Sequence, residues 1–510
     1  MFAPLPTPEE MAAWDAWTIQ DLGIKAEVLM ENAAREALTV LRHRAGPLAG
    51  KSALVFCGGG NNGGDGFAVA RLLAGEGAAV AVLHTKAKNA YRGETRHNMD
   101  LCRRLGIPLK HLSGGGMDRS RVDLVVDALM GTGFEGELRE DMLGAVRQVN
   151  ALGRSAFVLS IDVPSGLSGR TGRPQPEAVE ADATVAFHAA KLGLVQPEAE
   201  PFVGELFVQD IGIPPQAMAA RPAGQQLMTD GLFTLLAGQD PAMHKGGAGH
   251  VLVVGGARGM TGAPVLAARA ALRAGAGLVT IACPGANLPL VAPALPDAMT
   301  LTLGEGTEFT ADCLPPLVDD LARFDAVVLG PGLGRGLPAA EFHAGLADAC
   351  RLPAVHDADA LFHLAGRPSL WQGLPDNAVF TPHPGEMARL LDATAAHVQE
   401  DRLAAARAFA GEVSGVVVLK GAATVVAQGS EAFVSPIAEP ALAVGGSGDV
   451  LSGVVGALLA RGMGPLRSTC LGVYWHGSTG RLLAAEHPAR GVLPTDIADA
   501  LPRTAKEHAC

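Results

Sequence analysis

ALVFC at residues 53–57, GGGNNGGDG at 58–66 and FAVARLLA at 67–74 decide the fold of the first part of the chain. An apolar run, a glycine-rich turn and a helical apolar pattern make a strand–turn–helix unit, the building block of a parallel α/β sheet. The turn contains a G-x-G-x-x-G match where a dinucleotide fingerprint would stand. Two features count against a hydride-transfer site: Asp65 sits where pyrophosphate would lie, and the next strand, over 79–83, ends in His84-Thr85-Lys86 with no acid for a ribose. Asn61, Asn62 and Asp65 instead offer oxygens that suit a hard cation or a polar ligand.

Upstream, apolar residues at helical spacing (Met11, Trp14, Ile19, Leu22, then Leu29, Met30, Ala33, Ala37, Leu41) predict two helices separated at Gly23, which could serve a core or a subunit interface. AGPLAGKS at 45–52 resembles a phosphate loop, but Ala45 replaces its first glycine and the stretch precedes a strand instead of following one. Downstream, strands over 122–127, 156–161 and 184–187 run into Asp127-Ala128-Leu129-Met130-Gly131-Thr132-Gly133, Asp162-Val163-Pro164-Ser165-Gly166 and His188-Ala189-Ala190-Lys191. The carboxyl ends of parallel strands share one edge, so these loops should meet there. Asp127 and Asp162 could also simply cap the turns that follow them.

Periodicity lapses into IPPQAMAARPAGQQ at 213–226, so a first domain over 1–212, a linker over 213–228 and a second domain over 229–510 are expected. The second domain opens with His244-Lys245-Gly246 and repeats the α/β alternation, with strands over 251–254, 278–282, 326–329, 354–356, 416–419 and 424–427. Unusual residues follow its strands: GPGLG at 330–334, Asp357-Ala358-Asp359, TPHPGE at 381–386 and Lys420-Gly421. His383, between two prolines, reads as a positioned ligand contact in preference to a solvated surface histidine. Asp357 and Asp359 could bind a metal or cap a helix, and Lys420 could meet phosphate or solvent. Gly445-Gly446-Ser447-Gly448-Asp449 precedes an apolar helical run over 450–460. Backbone amides converging on a helix N-terminus make an anion site, and Asp449 at its mouth is either an N-cap or a catalytic base.

With 510 residues the chain exceeds one core. A formal charge of -12 with 40 Lys+Arg and no basic run argues against nucleic acid and anionic membranes. Seven scattered cysteines without a C-x-x-C pair indicate neither disulfides nor zinc and suggest a reducing compartment. The uncharged stretch 274–296 contains Pro284, Pro289, Pro293 and Pro296, which read as strand and loop, not a membrane span. The acidic start, with Glu9, Glu10 and Asp15, lacks a secretory pattern, so a cytoplasmic location is expected.

In order along the chain, GGGNNGGDGFAVAR, VDALMGTG, IDVPSG, HKGGAGHVLVVGG, GMTGAPVLAARAALRAGAGLVT, GPGLG, TPHPGE, KGAAT and GGSGDVLSG resemble the bifunctional NAD(P)H-hydrate repair enzymes, an epimerase domain fused to an ADP-dependent dehydratase domain. The resemblance covers almost the whole chain. It implies two three-layer α/β domains, an N-terminal Rossmann-like parallel sheet and a C-terminal ribokinase-like sheet. It implies a potassium ion held by Asn62, Asp127 and Ser165. The hydrate would lie along Asn61, Asn62, Gly63, Gly64 and Asp65 and along Gly131, Thr132, Gly133, Phe134, Glu135, Gly136 and Glu137, reaching Asp162, which with Lys191 would handle the C6 hydroxyl proton. In the second domain Ala263, Gly332, His383 and Asp449 match contacts to the hydrate. Lys420, Gly421, Ala422, Ala423, Thr424 and Gly448 match contacts to the nucleotide, and Asp449 matches the base.

ADP as co-substrate, Mg2+, NADHX and NADPHX as substrates, and a homo-oligomer follow from the same resemblance. The family usually reads Asn-Pro-Gly-Met-Ala-Thr where this chain has Glu439-Pro440-Ala441-Leu442-Ala443-Val444, a departure that bears on nucleotide affinity and not on the fold. A ribokinase-type small-molecule kinase would have no use for the motifs of the first half. A catalytically inactive nucleotide-binding scaffold would have no use for Asp449, Lys420 and His383.

Overall fold

The structure, a computed structural model, describes residues 1–113, 122–134, 136–236, 245–488 and 490–508. Glu135, His244 and Cys510 lie outside the described residues. The chain divides into two compact units, one of residues 4–224 and one of residues 1–3 with 225–510.

The first unit holds a seven-stranded sheet in the order Leu109–His111, Ala79–His84, Ser52–Cys57, Leu124–Ala128, Phe157–Ile161, Ala183–Phe187, Glu205–Gln209, and every pairing is parallel. Within Ser52–Cys57, Val55 and Cys57 enter one apolar cluster while Leu54 and Phe56 enter another, so both faces of the sheet are covered. That is why its central strands read as unbroken apolar runs. The predicted N-terminal helices form as Pro8–Gln20 and Ala26–Ala45, with Gly23 at φ 86° between them and a reciprocal Thr7–Glu10 cap starting the first.

The expectation of a glycine-rich turn through Gly66 needs correction, because the helix already begins at Asn61 and runs Asn61–Gly75. Its glycines are there for close packing. A Cβ on Gly63 would stand 2.0 Å from the Gly58 carbonyl oxygen, and one on Gly66 would stand 2.5 Å from the Ala128 Cβ.

The second unit holds an eleven-stranded sheet whose central part, from Val416–Leu419 through Ala378–Phe380, Ala354–His356, Ala326–Leu329, His250–Val254 and Leu278–Pro284 to Met299–Leu303, is parallel. Val425–Gln428 and Glu431–Val434 add antiparallel strands on one side. The segment expected as a linker contains a helix, Pro215–Ala220, and a strand, Gln226–Met228, parallel to Glu431–Val434. Both faces are again covered: Val251 and Val253 pack in one cluster and Leu252 and Val254 in another. The helix behind the second glycine turn runs Ser447–Ala460, three residues earlier than the apolar run suggested, and is buried along nearly its whole length. No helix among the described residues is long and apolar enough to cross a membrane.

Candidate active sites

In the first unit the strand ends converge as expected. A cavity of about 890 Å³ is lined by Asn61, Asn62, Asp65, Gly131, Thr132, Gly133, Phe134, Glu137, Asp162 and Lys191, and also by Asp15 and Met130. Gly63 and Gly64 do not line it; they are buried against Gly58 and Met30. Gly136, at φ 87°, stands outside the lining.

Asp162 follows the strand Phe157–Ile161 directly, in left-handed backbone with φ 67°. Such strain in a residue with a Cβ persists only where the surroundings enforce it. Its Oδ1 accepts from the Lys191 ammonium at 2.5 Å, and its Oδ2 accepts from the Thr132 amide at 3.2 Å. Lys191 is 1% exposed and also donates to the Phe187 carbonyl at 3.0 Å. Two further carboxyls share the cavity. Burial, then the charge of Asp162, pushes Asp65 well above the usual carboxylate range and Asp15 to about 6. Asp15 lies on the first helix, and no motif marked it.

Asn62, Asp127 and Ser165 belong to one hydrogen-bond network. The Asn62 amide donates to the Met130 carbonyl at 2.8 Å, and the Met130 amide donates to Ser165 Oγ at 2.9 Å. Ser165 Oγ donates to Asp127 Oδ1 at 2.6 Å. Asp127 Oδ2 accepts from Ser160 Oγ at 2.9 Å and from the Ser165 amide at 2.8 Å. Burial raises the Asp127 pKa even so. The second Asn62 atom, Oδ1, is buried with no partner.

In the second unit Gly446, at φ 96°, is the N-cap of the helix Ser447–Ala460. Asp449 therefore stands in the first turn as its third residue and is not the cap. Lys420 ends up beside it. Its ammonium donates to Asp357 Oδ1 at 2.6 Å and lies 3.8 Å from Glu386 Oε2, and Asp357 Oδ2 accepts from Ser452 Oγ at 2.5 Å.

A Cβ on Gly448 would stand 3.3 Å from the Lys420 Nζ, so glycine leaves that ammonium reachable from the turn. Burial, the largest single influence, would raise Asp357, but the Lys420 charge together with the hydrogen bonds from Lys420, Ser452 and Thr381 outweighs it and holds the carboxyl low. Burial would likewise lower Lys420, and the Asp357 and Glu386 carboxylates outweigh it and raise it. Lys420 is thus committed to Asp357. Asp449, pushed up by burial and then by Asp357, reaches about 7.

His383 caps the helix Pro384–Leu390, its Nδ1 accepting from the Gly385 amide at 3.0 Å. Its own amide donates to Glu386 at 2.8 Å, and its side chain is 53% exposed. Gly332, at φ 64°, accepts on its carbonyl from the Gly256 and Ala257 amides at 2.9 and 2.8 Å, locking two strand-end loops together. Ala263 is half-buried in the first turn of the helix Gly262–Arg273. After Lys420, Gly421 and Ala422 are exposed, Ala423 is buried at φ 49°, and Thr424 Oγ1 donates to the Gly421 carbonyl at 2.7 Å. The departure at 439–444 carries no backbone strain. Ala441, in the short turn Pro440–Leu442, is not among the left-handed residues, and its amide donates to the Glu439 carboxylate at 3.0 Å.

A parallel-sheet domain with a lysine–carboxylate cavity, followed by one with an anion-receptive glycine turn and a poised aspartate, defines a two-domain enzyme. The family described as NAD(P)H-hydrate dehydratase matches residues 251–503, and that described as YjeF-related protein N-terminus matches residues 26–193. The bifunctional NAD(P)H-hydrate repair enzyme Nnr of Moorella thermoacetica is 39% identical over 509 residues, 98% of this chain and 96% of its own. That of Escherichia coli is 36% identical over 486 residues, 94% and 90% of the two chains. A ribokinase-like superfamily protein of Enterococcus faecalis matches with a TM-score of 0.50 and 26% identity, covering 56% of this chain and 97% of its own. The chain belongs to the bifunctional NAD(P)H-hydrate repair enzymes. It joins an NAD(P)H-hydrate epimerase, an isomerase, to an NAD(P)H-hydrate dehydratase, a lyase.

Proposed function

We propose that Asp162 handles the C6 hydroxyl proton in epimerisation and that Asp449 takes the same proton in a dehydration driven by ADP. The observation that carries the reading is Asp449, a carboxyl poised near neutrality (about 7) in the first turn of a helix, beside a lysine already neutralised by Asp357.

C6 of the hydrate carries both a hydroxyl and the ring nitrogen. When Asp162 takes the hydroxyl proton, the C6–N1 bond opens with its electron pair going to nitrogen, and C6 becomes a carbonyl. Reclosure on the opposite face, with the proton returned to oxygen, inverts the centre. Lys191 aims Asp162 through the 2.5 Å contact.

In the second site the hydroxyl oxygen, losing its proton to Asp449, bonds to the terminal phosphorus of ADP, and the bond from that phosphorus to the bridging oxygen breaks to release AMP. Phosphate then leaves C6, a C5 proton is lost, and the ring double bond is restored. Lys420 through Thr424 and the Gly448 turn are assigned to the nucleotide. Ala263, Gly332 and His383 are assigned to the hydrate.

The donors of the first site suit potassium: they are hard oxygens, and the buried Asn62 Oδ1 has no other partner. Bound there, the ion would supply fixed positive charge. Mg2+ would enter on the nucleotide phosphates, since no group of three or more His, Cys, Asp or Glu among the described residues is placed to hold a metal. A homo-oligomer and a cytoplasmic location complete the reading; the six described cysteines are free and buried.

The test is recovery of reduced-nicotinamide absorbance from mixed R and S hydrates, with potassium or lithium and with ADP, ATP or no nucleotide. Wild type should recover fully with potassium and ADP, Asp162→Asn should recover only the S fraction, and Asp449→Asn should bind both ligands without recovery. Turnover by Asp449→Asn would sink the assignment.

A further inference from the structure

Beside the hydrate-assigned residues lies a cationic patch that the mechanism above does not use. Arg335 follows Gly332 in the same loop, and Arg389 lies on the helix that His383 caps. Both guanidinium groups sit over Phe362, with Cζ atoms 5.0 and 6.0 Å from the ring centroid. Phe362 is 36% exposed, so the ring and the two cations on it are open to solvent.

Arg335 is held by Asp359 Oδ1 at 2.7 Å, and Asp359 in turn accepts from the Gly334 amide at 3.0 Å. Arg389 is exposed and makes no ion pair among the described residues. Two like charges thus share one ring, and Asp359 pairs with only one of them, so a bound anion would be attracted there. The other acids nearby have closer partners: Glu386, which also feels the Arg389 charge, accepts from the His383 amide and lies 3.8 Å from Lys420, and Asp357 accepts from Lys420. The patch adjoins the site, because His383 caps the helix that carries Arg389 and Arg335 stands three residues after Gly332.

We propose that Arg335, Arg389 and Phe362 form a subsite for a phosphate group of the hydrate's dinucleotide tail. This rests on the assignment of the hydrate to Gly332 and His383. The phosphate has two possible sources, the pyrophosphate common to both hydrates and the 2′-phosphate of NADPHX alone. Phe362 is the platform that both guanidinium groups share.

The test is steady-state dehydration by the full chain of the S hydrates of NADH, NADPH and reduced nicotinamide mononucleotide, at saturating ADP. Arg389→Ala and Arg335→Ala should each raise the dinucleotide KM about tenfold, the size of one charge-assisted phosphate contact, with the effect in KM more than in kcat. The mononucleotide KM should stay within twofold. An effect on both dinucleotides places the pyrophosphate at the arginines, and one confined to NADPHX places the 2′-phosphate there. Phe362→Leu should give a smaller rise of the same pattern. Unchanged dinucleotide KM values, or a parallel rise for the mononucleotide, would overturn the subsite. His383→Ala separates the two layers of inference: it should raise all three KM values, and if it raises none the underlying placement fails as well.

Discussion

Asp449→Asn should make the second unit more stable while abolishing dehydration. Asp449 is displaced from 3.8 to about 7 by burial and by the neighbouring Asp357. Its folded-state pKa is raised, so the folded protein holds this proton more tightly than the unfolded chain, and stability falls as pH rises from about 4 to about 7. A displacement of about three pH units at about 1.4 kcal/mol each sets an upper bound of about 4 kcal/mol at pH 8. Relaxation and the group's residual solvent contact bring the expected gain to about 2 kcal/mol, or roughly 4–8 °C in the melting temperature of a domain this size. At pH 5 the same reasoning leaves about a third of the gap. Calorimetric scans of wild type and Asp449→Asn at pH 5 and pH 8, following the transition of the second unit, make the comparison. An equal gap at both pH values, or a variant less stable than wild type at pH 8, refutes the account of Asp449 as a carboxyl held short of ionisation.

Wild-type dehydration at saturating substrates should rise with pH through about 7 as Asp449 ionises and then level off; a flat profile between pH 5.5 and 8.5 would remove it as the base. Lys191→Met should leave Asp162 and its Thr132 contact without a cation in a buried setting. Loss of epimerisation and a destabilisation of about 3–5 kcal/mol in urea unfolding of the first unit are expected. Gly66→Ala should cost about 1–3 kcal/mol in the same unfolding experiment, because its methyl would stand 2.5 Å from the Ala128 Cβ and 2.9 Å from the Cys57 Sγ.

Most central strands are legible because burial on both faces leaves them almost wholly apolar, but the three-residue central strand Ala378–Phe380, equally buried, is too short to stand out. The strands that escaped notice lie mostly toward the sheet margins: Leu109–His111 and Glu205–Gln209 have no buried residue, and Met299–Leu303 has one. Without an alternation or a run there is no local signal. GGGNNGGDG locates the strand-to-helix junction but not its conformation, since a glycine marks either a turn or a close approach and the sequence does not say which. Gly63, Gly64 and Gly66 are close approaches within the helix. Strand-end residues such as Asp162 and Lys420 could be picked out by the edge rule. The partners that tune them could not. Asp357 meets Lys420 across 63 residues and Ser452 across 95, and Asp15 reaches the first cavity from a helix whose other faces serve the core.

Those partners explain how one chain arranges proton transfer twice. In each site a lysine is committed to a single carboxylate, Lys191 to Asp162 and Lys420 to Asp357. In each, another carboxyl stands close by without a cation of its own: Asp15 and Asp65 in the first, Asp449 in the second. A free lysine would pull these neighbours further down toward the ordinary carboxylate range. Because each lysine is already paired, burial outweighs its pull: Asp15 and Asp449 reach about 6 and about 7, and Asp65 is pushed well above the usual carboxylate range. The pairing of lysine with one acid is therefore what leaves the other acid able to exchange a proton. It follows that Asp357→Asn, which frees Lys420, should shift the midpoint of the dehydration pH profile toward acid by releasing its ammonium to Asp449 and removing a like charge.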